Sequence, residues 1–184
     1  DHKTTDRLGL GYSPDSFHEL TQHLQKKSFS EKDILESGLA TQKEMGSLSI
    51  YDRFRHRVMF PIRDHQGNLV GFGGRTLSKN PESPKYLNSP ETRLYHRGRM
   101  LYLFSEAKNA IREKKRAVIV EGYFDALSAH LHGYPETVAS LGTALTEEQI
   151  KALARLTHHL YFAFDADSSG QIAASRSIEI AHSL

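Results

Sequence analysis

The last third of the chain alternates between short apolar runs and segments in which apolar residues recur at helical spacing. The runs at 117–120 and 160–164 are apolar at consecutive positions, which is typical of strands buried on both faces of a parallel sheet. Strand–helix alternation of this kind implies right-handed crossovers between parallel strands, and therefore an α/β fold. The pattern predicts strands at 117–121, 137–141 and 159–165, and helices at about 123–132, 146–156 and 169–183.

The pattern before residue 117 is mixed. A helix is predicted from 13–15 onward, and Ser30 is a candidate cap for a second, short helix. Apolar runs at 58–62 and 69–72 flank a short polar loop, which predicts a β-hairpin. This part of the chain is therefore expected to be a mixed α+β region.

The hairpin leads into a glycine-rich and then a proline-rich stretch. Gly71, Gly73 and Gly74 leave the second strand bare of side chains, which allows another backbone or a ligand to approach closely beside Arg75. The alternative is a glycine-rich strand end with a surface arginine. Prolines exclude a regular helix in 76–100, where we expect a long functional loop.

A further helix is predicted between this loop and the first buried strand. Ser105 is its candidate cap, and basic residues near Lys115 suit its carboxyl end.

Charge divides the chain at about the same place as the apolar pattern. Residues 1–116 carry 21 Lys and Arg against 14 Asp and Glu, whereas 117–184 carry 3 against 8. A basic part beside an acidic part suits a protein that binds a polyanion and metal ions, although an ordinary solvated surface remains the alternative. We predict two domains, a basic α+β subdomain at 1–116 and an α/β subdomain at 117–184.

Composition narrows the class of protein. The chain has no cysteine, which excludes disulfides and thiolate zinc sites and fits a reducing cytosol. No apolar run approaches the roughly 18 residues of a membrane span, and the first residues show no signal-peptide pattern. We therefore expect a cytoplasmic protein with no membrane partner.

Three carboxylates are predicted at one edge of the parallel sheet. Glu121 ends one apolar run and Asp165 and Asp167 follow another, so all three emerge at the carboxyl ends of strands, where ligands bind in such sheets. Carboxylate oxygens suit a hard divalent cation such as Mg²⁺. The alternative is that Asp167, Ser168 or Ser169 only caps the helix that follows.

Cations and one aromatic residue suggest contacts to nucleic acid. Arg53, Arg55 and Arg57 alternate along the chain, so their side chains share one face if the segment is extended and spread around it if the segment is helical. The segment 84–90 combines a cation, an aromatic ring and an amide, which serve for phosphate charge, base stacking and hydrogen bonding.

Several motifs carry a resemblance to a known family. Two of them resemble the signature of Toprim domains, which occur in primases, topoisomerases and some nucleases. These are Glu121-Gly122-Tyr123-Phe124-Asp125 and Phe164-Asp165-Ala166-Asp167 followed by Gly170. Further segments resemble the core of bacterial replicative DNA primases of the DnaG type, and the resemblance runs nearly end to end. These segments are 51–62, 71–75, 84–92 and 141–146.

The resemblance implies a fold and an activity. The implied fold is a Toprim-type parallel sheet flanked by helices, preceded by a mixed α+β basic subdomain. The implied activity is synthesis of short RNA primers on single-stranded DNA from ribonucleoside triphosphates, with Mg²⁺ as cofactor and Mn²⁺ as a substitute. Zinc is expected only in a separate N-terminal domain, and the replicative helicase is expected to bind a region absent from this chain. The implied location is the replication fork, in the bacterial cytoplasm.

The resemblance also implies residue roles. The expected catalytic metal ligands are Glu121, Asp165 and Asp167. Asp125 is also an expected catalytic residue, which either supports the metal ligands from behind or orients the site. The expected nucleotide-binding residues are Arg75, Lys85 and Asn88. The expected DNA-binding residues are Arg53, Arg55, Arg57 and Arg97.

Two other functions remain open. A Toprim nuclease would use the same carboxylates with a metal-bound water, although the segments 71–75 and 84–92 argue against it. A non-catalytic nucleic-acid-binding relative would tolerate Glu121→Gln without loss of activity. The chain also departs from the family pattern, with Ala166 where many members have glycine and Arg97 where lysine is common.

Overall fold

Residues 2–42, 49–141 and 144–183 are described by a computed structural model. The chain divides into two units. They are Asp1–Ile62 with Val70–Tyr95, and Arg63–Leu69 with His96–Leu184. These compact units do not test the domain boundary that the sequence predicts after residue 116, so that boundary stays a prediction.

Antiparallel strands and short helices make up the first part of the described chain. Its helices are α1 (His2–Leu8), α2 (Glu19–Lys26) and α3 (Glu31–Glu36). Its strands are β1 (Gly11–Ser13), β2 (Ala40–Gln42), β3 (Ile50–Asp52), β4 (Arg57–Arg63), β5 (Leu69–Thr76) and β6 (Tyr86–Asn88). One sheet has the order β1-β4-β5-β6, and β2 and β3 form a separate antiparallel pair.

The second unit alternates strands and helices as predicted. Its helices are α4 (Phe104–Lys114), α5 (Tyr123–Leu131), α6 (Glu147–Ala154) and α7 (Ser168–His182). Its strands are β7 (Ala117–Val120), β8 (Thr137–Ala139) and β9 (Leu160–Phe162). The strand order is β8-β7-β9 and both pairings are parallel, which confirms the α/β fold class. No helix in the described ranges is both long and apolar enough to cross a bilayer.

The central strand β7 anchors the core of the second unit. Ala117 and Ile119 are fully buried, and Ile111 of α4 and Leu153 of α6 belong to the same apolar cluster. Burial of each such aliphatic side chain other than alanine contributes roughly 1.5–3 kcal/mol. Because β7 is paired on both sides and packed against helices, the position of Glu121, the first residue after it, is well determined.

The predicted β-hairpin is confirmed as β4 and β5. β5 continues to Thr76 and pairs with β6, which lies where the sequence predicted only an irregular loop. Pro84 and Pro90 flank β6 without entering it, so they remove no N–H group from its ladder.

The sequence predicted side-chain caps for two helices, and the structure has one of them. The hydroxyl of Ser30 accepts the N–H of Asp33 at 3.1 Å, so the predicted cap of α3 is confirmed. The predicted cap at Ser105 is wrong. α4 begins one residue earlier, after Leu103 in a left-handed conformation (φ 61°), and the Ser105 hydroxyl donates to Glu106 instead.

The helix α2 begins at Glu19, later than the predicted start at 13–15. A residue far along the chain provides hydrogen-bond acceptors for the first turn of this helix. The buried carboxylate of Asp52 accepts the N–H groups of Leu20 and Thr21, each at 2.8 Å. The cap therefore comes from β3 as well as from the local Ser16, whose hydroxyl accepts the N–H of Glu19 at 3.2 Å.

A buried carboxylate joins α4 to the sheet of the second unit. Glu136, next to β8, is fully buried, and it accepts hydrogen bonds from Lys114 at 2.8 Å and from Arg116 at 2.8 Å and 3.0 Å. Burial alone would raise the pKa of Glu136, but the hydrogen bonds from Lys114 and Arg116 outweigh it and hold this pKa below the usual value. The ionised form of Glu136 therefore stabilises the fold.

We expect Glu136→Gln to lower the free energy of unfolding by about 1–3 kcal/mol at neutral pH, because a buried charge-assisted contact is lost. The lowered pKa sets the sign of the pH dependence. The stabilisation is present above the ordinary pKa of glutamate and disappears as pH falls through the lowered pKa, so the two proteins should converge in acid. Urea unfolding at a series of pH values measures this difference.

Glu148→Gln is the matched control. Its carboxylate also pairs with an arginine, Arg99 at 3.2 Å, but the two side chains are 57% and 60% exposed. An exposed pair contributes about 0–1 kcal/mol. An equal loss in both variants would contradict the stabilising role of Glu136.

Candidate active site

Two neighbouring parallel strands carry the predicted carboxylates. Glu121 follows β7, whereas Asp165 and Asp167 follow β9, which pairs with β7. The Glu121 carboxylate accepts the backbone N–H of Asp165 at 2.8 Å. The structure therefore brings the two strand ends together.

A glycine in α7 allows this close approach. A Cβ on Gly170 would lie 2.2 Å from the carbonyl oxygen of Asp165 and 2.7 Å from Oε1 of Glu121. Only a residue without a side chain fits this position unless the backbone shifts. The first turn of α7 therefore packs directly against both residues.

Asp167 is the N-cap of α7. Its carboxylate accepts the N–H of Gly170 at 2.8 Å, so the capping alternative holds for this residue. Capping and metal binding do not exclude each other, because the carboxylate keeps its negative charge and the helix amino end favours that charge.

Asp125 fixes the turn after β7. Its carboxylate accepts the N–H of Gly122 at 3.1 Å, which holds the link between Glu121 and the start of α5. The ring of Tyr123 in the same helix packs edge-on against Tyr102, with 4.7 Å between ring centroids. These contacts orient Glu121 through the backbone.

The donor set suits a hard divalent cation, because carboxylate oxygens are the ligands that Mg²⁺ prefers. The side chains of Asp165 and Asp167 are exposed and that of Glu121 is partly exposed, so an ion has access to all three. Within the described ranges, no group of three acidic or histidine side chains is placed to hold a metal ion. The chemistry fits such an ion, and the metal role of these residues stays a prediction.

The predicted nucleotide-binding residues share the ladder of β5 and β6. Arg75 lies opposite Tyr86, and Gly73 lies opposite Asn88, so the Arg75 and Asn88 side chains share one face of the ladder. Lys85 directly precedes β6 and is exposed, with its ammonium 5.9 Å from the centre of the Tyr86 ring. The structure thus places all three predicted residues in or next to one short ladder, with Arg75 and Asn88 on the same face.

The free space predicted beside the glycines of β5 is largely filled. A Cβ on Gly71 would lie 3.0 Å from the ring of Tyr95, and one on Gly74 would lie 3.0 Å from both Phe54 and Arg57. These two glycines therefore accommodate protein side chains, and the expectation of ligand space beside them is wrong.

The three alternating arginines do not share one face. His56 has a left-handed backbone (φ 50°), which turns the chain between the last two of them. Arg53 donates to the carbonyl of Asn88, and Arg55 stacks over the exposed ring of Phe17, 4.4 Å from its centre. Arg57 points inward. Burial lowers the pKa of the Arg53 guanidinium and that of the Arg57 guanidinium.

Arg97 opens a 3₁₀ turn (Arg97–Arg99) in the second unit. Its guanidinium donates to the carbonyl of Leu141, the first residue of the segment 141–146, in which Gly142 and Thr143 lie outside the described residues. No sequence pattern indicated which contacts hold this turn against α6.

Two residues at the start of α6 hold the turn. The Thr146 hydroxyl donates to the Gly98 carbonyl at 2.6 Å, and the buried amide of Gln149 donates to the Met100 carbonyl at 2.6 Å. Their capping-box spacing was visible in the sequence, but these long-range contacts were not.

Comparison with known proteins agrees with this arrangement. A family model described as the N-terminal domain of the DNA primase catalytic core matches residues 1–108. The chain belongs to the DNA primase catalytic-core family. A second family model, described as Toprim-like, matches residues 118–184 of this primase core. Both matches confirm the resemblance and the Toprim-type fold.

Relatives of this primase core show how much of a longer protein it spans. It is 44% identical over 179 residues to the DNA primase of Clostridium acetobutylicum, covering 97% of the chain and 29% of that relative. The zinc-binding and RNA polymerase domains of Aquifex aeolicus primase superpose with a TM-score of 0.88 at 36% identity, covering 98% of the chain and 44% of that structure. A DnaG primase catalytic domain bound to single-stranded DNA superposes with a TM-score of 0.84 at 37% identity, covering 98% of the chain and 55% of that structure.

We expect Gly170→Ala to destabilise this primase core by about 1–3 kcal/mol or more, because the new methyl group overlaps the backbone of Asp165. Urea unfolding measures the loss. Gly98→Ala is the control, since its Cβ would meet Thr146 at an ordinary 3.6 Å. Equal stability of the Gly170 variant and the unaltered protein would contradict the tight packing of α7.

Proposed function

We propose that this chain is the part of a DNA primase core that carries out nucleotidyl transfer, joining ribonucleoside triphosphates into short RNA primers on single-stranded DNA. One observation carries the proposal. Glu121, Asp165 and Asp167 lie at the ends of adjacent parallel strands, in a chain whose first 108 residues match the primase catalytic core.

Toprim domains generally bind divalent metal, and the three carboxylates would hold Mg²⁺, with Mn²⁺ as a substitute. When bound, the ion lowers the cost of forming the 3′-alkoxide of the primer and offsets charge on the triphosphate. The chain contributes the orientation of its acids. Asp165 donates its N–H to Glu121, Gly170 donates to Asp167, and Asp125 holds the turn that carries Glu121.

Arg75, Lys85 and Asn88 would bind the incoming nucleotide. A triphosphate concentrates its charge at one place, so a few cations on one short ladder suffice for it. Lys85 is well suited because it is exposed and has no acidic partner among the residues that the structure describes.

The template would be held by a line of cations, because a strand spreads its phosphates along its length. The partly exposed candidates are Arg53 and Arg55 in the first unit and Arg97 in the second, whereas the fourth predicted cation, Arg57, is buried and is the weakest candidate. The DNA-bound primase domain with the same fold supports a single-stranded partner for this chain. The expected place of action is the replication fork.

Asp165→Asn and Asp167→Asn should each abolish primer synthesis in the full-length protein while leaving its fold intact. Asparagine is as good an N-cap as aspartate, so Asp167→Asn removes the charge and keeps the cap of α7. Primer synthesis on single-stranded DNA with Mg²⁺ measures activity, and thermal unfolding monitors the fold.

Glu147→Gln, an exposed acid at the start of α6, is the control for loss of one charge. Full primer synthesis by both aspartate variants would remove these carboxylates from the mechanism. Strand cleavage in place of primer synthesis by the unaltered protein would favour the nuclease.

Lys85→Ala should raise the apparent KM for nucleotides severalfold or more and barely change the affinity for single-stranded DNA. The reason is that a lost charge-assisted contact to phosphate costs about 1.5–3 kcal/mol. Lys79→Ala removes an exposed cation from the same loop and serves as the control. Weaker DNA binding with an unchanged nucleotide KM would mean that the two cation groups must exchange roles.

A further inference from the structure

The side chain of Arg57 passes from β4 into the interior of the first unit. It is only 5% exposed, and its Cδ atom would lie 3.0 Å from a Cβ on Gly74. The missing side chain at Gly74 therefore gives the arginine its passage beside β5.

The guanidinium of Arg57 ends on the segment between β5 and β6. It donates to the carbonyl of Pro84 at 2.9 Å, to the carbonyl of Gly74 at 3.2 Å and to the hydroxyl of Ser83 at 3.1 Å. The Ser83 hydroxyl in turn lies 3.2 Å from that of Thr76 on β5. One cation thus ties β5 to the residue directly before Lys85.

A second arginine holds the other end of the same segment. Arg53 donates to the carbonyl of Asn88 from Nη2 at 2.9 Å and from Nε at 3.2 Å. The structure pairs neither Arg53 nor Arg57 with a carboxylate among the residues it describes. Both cations are committed to carbonyl oxygens on either side of Lys85.

Planar guanidinium groups suit this task. Arg57 reaches three acceptors in fixed directions, which an ammonium at the same place does not reproduce. Each charge-assisted hydrogen bond removes freedom from the segment that carries Lys85, so less entropy is lost when a nucleotide orders it.

We propose that Arg57, assisted by Arg53, is a positioning residue for the nucleotide site and not a contact to the template. The two arginines fix the backbone on either side of Lys85, through the carbonyls of Pro84 and Asn88. This inference rests on the proposed nucleotide role of that segment. Arg55 donates to the carbonyl of Asp52 and stacks over the exposed Phe17, away from the segment that carries Lys85, so it stays the template cation of the three.

Arg57→Lys separates the two roles, because it keeps a positive charge and loses the fork of donors. We expect faster amide hydrogen exchange across 83–89 and a nucleotide KM raised roughly 3- to 10-fold. The slope of log K against log salt for single-stranded DNA should stay unchanged. Arg55→Ala should show the reverse, with the slope reduced by about 0.7.

Ser83→Ala is a milder second variant, which tests the same contact if Arg57→Lys fails to fold. It removes only one acceptor of the Arg57 guanidinium, at a partly exposed position. It should raise exchange in the same segment by a smaller factor. A reduced salt slope for Arg57→Lys, or unchanged exchange across 83–89 in both variants, would overturn the positioning role.

The exchange measurement distinguishes this inference from the proposed function. If Lys85→Ala leaves the nucleotide KM unchanged while Arg57→Lys still loosens 83–89, the positioning of the segment stands and its nucleotide role fails. If Lys85→Ala raises the KM and Arg57→Lys changes neither KM nor exchange, the nucleotide role stands and the positioning fails.

Discussion

The hydrogen bond from the backbone N–H of Asp165 to the carboxylate of Glu121 joins the ends of two parallel strands. The strand β7 determines the position of Glu121, and β9 determines that of Asp165. The hydrogen bond therefore forms only if the two strands pair in the correct register. Gly170 then brings the first turn of α7 against the same pair. The orientation of the acids is therefore a consequence of sheet pairing and of one missing methyl group, rather than of contacts among the acids themselves.

The first unit uses its charges in a different way. Arginines and one aspartate satisfy backbone groups inside it, as Asp52 does at the start of α2 and Arg57 does between β5 and β6. A buried charge that is hydrogen-bonded on several sides orders the segments it contacts, and removing its partners is costly. The loops of this unit are thereby given definite positions.

Local patterns explain which features the sequence predicts. Buried strands such as β7 carry an uninterrupted apolar run, and their carboxyl ends gather acids at one edge, so the α/β part and the grouping of Glu121 with Asp165 were predictable. The cap of α2 was not, because Asp52 lies 32 residues after Leu20 in the chain. The arginines were misplaced because alternation assumes an extended chain, and His56 adopts a left-handed conformation between two of them.

The pairing of Glu136 with Lys114 and Arg116 alters the electrostatic field that an approaching polyanion meets. Lys114 and Arg116 contribute to the excess of positive charge in residues 1–116, and Glu136 contributes to the excess of negative charge in residues 117–184. Glu136 offsets one of the two positive charges at short range and leaves the other uncompensated. Long-range attraction of a nucleic acid therefore depends on fewer cations than the sequence carries, and the rate of first encounter should respond most to mutations at exposed arginines and lysines outside this cluster.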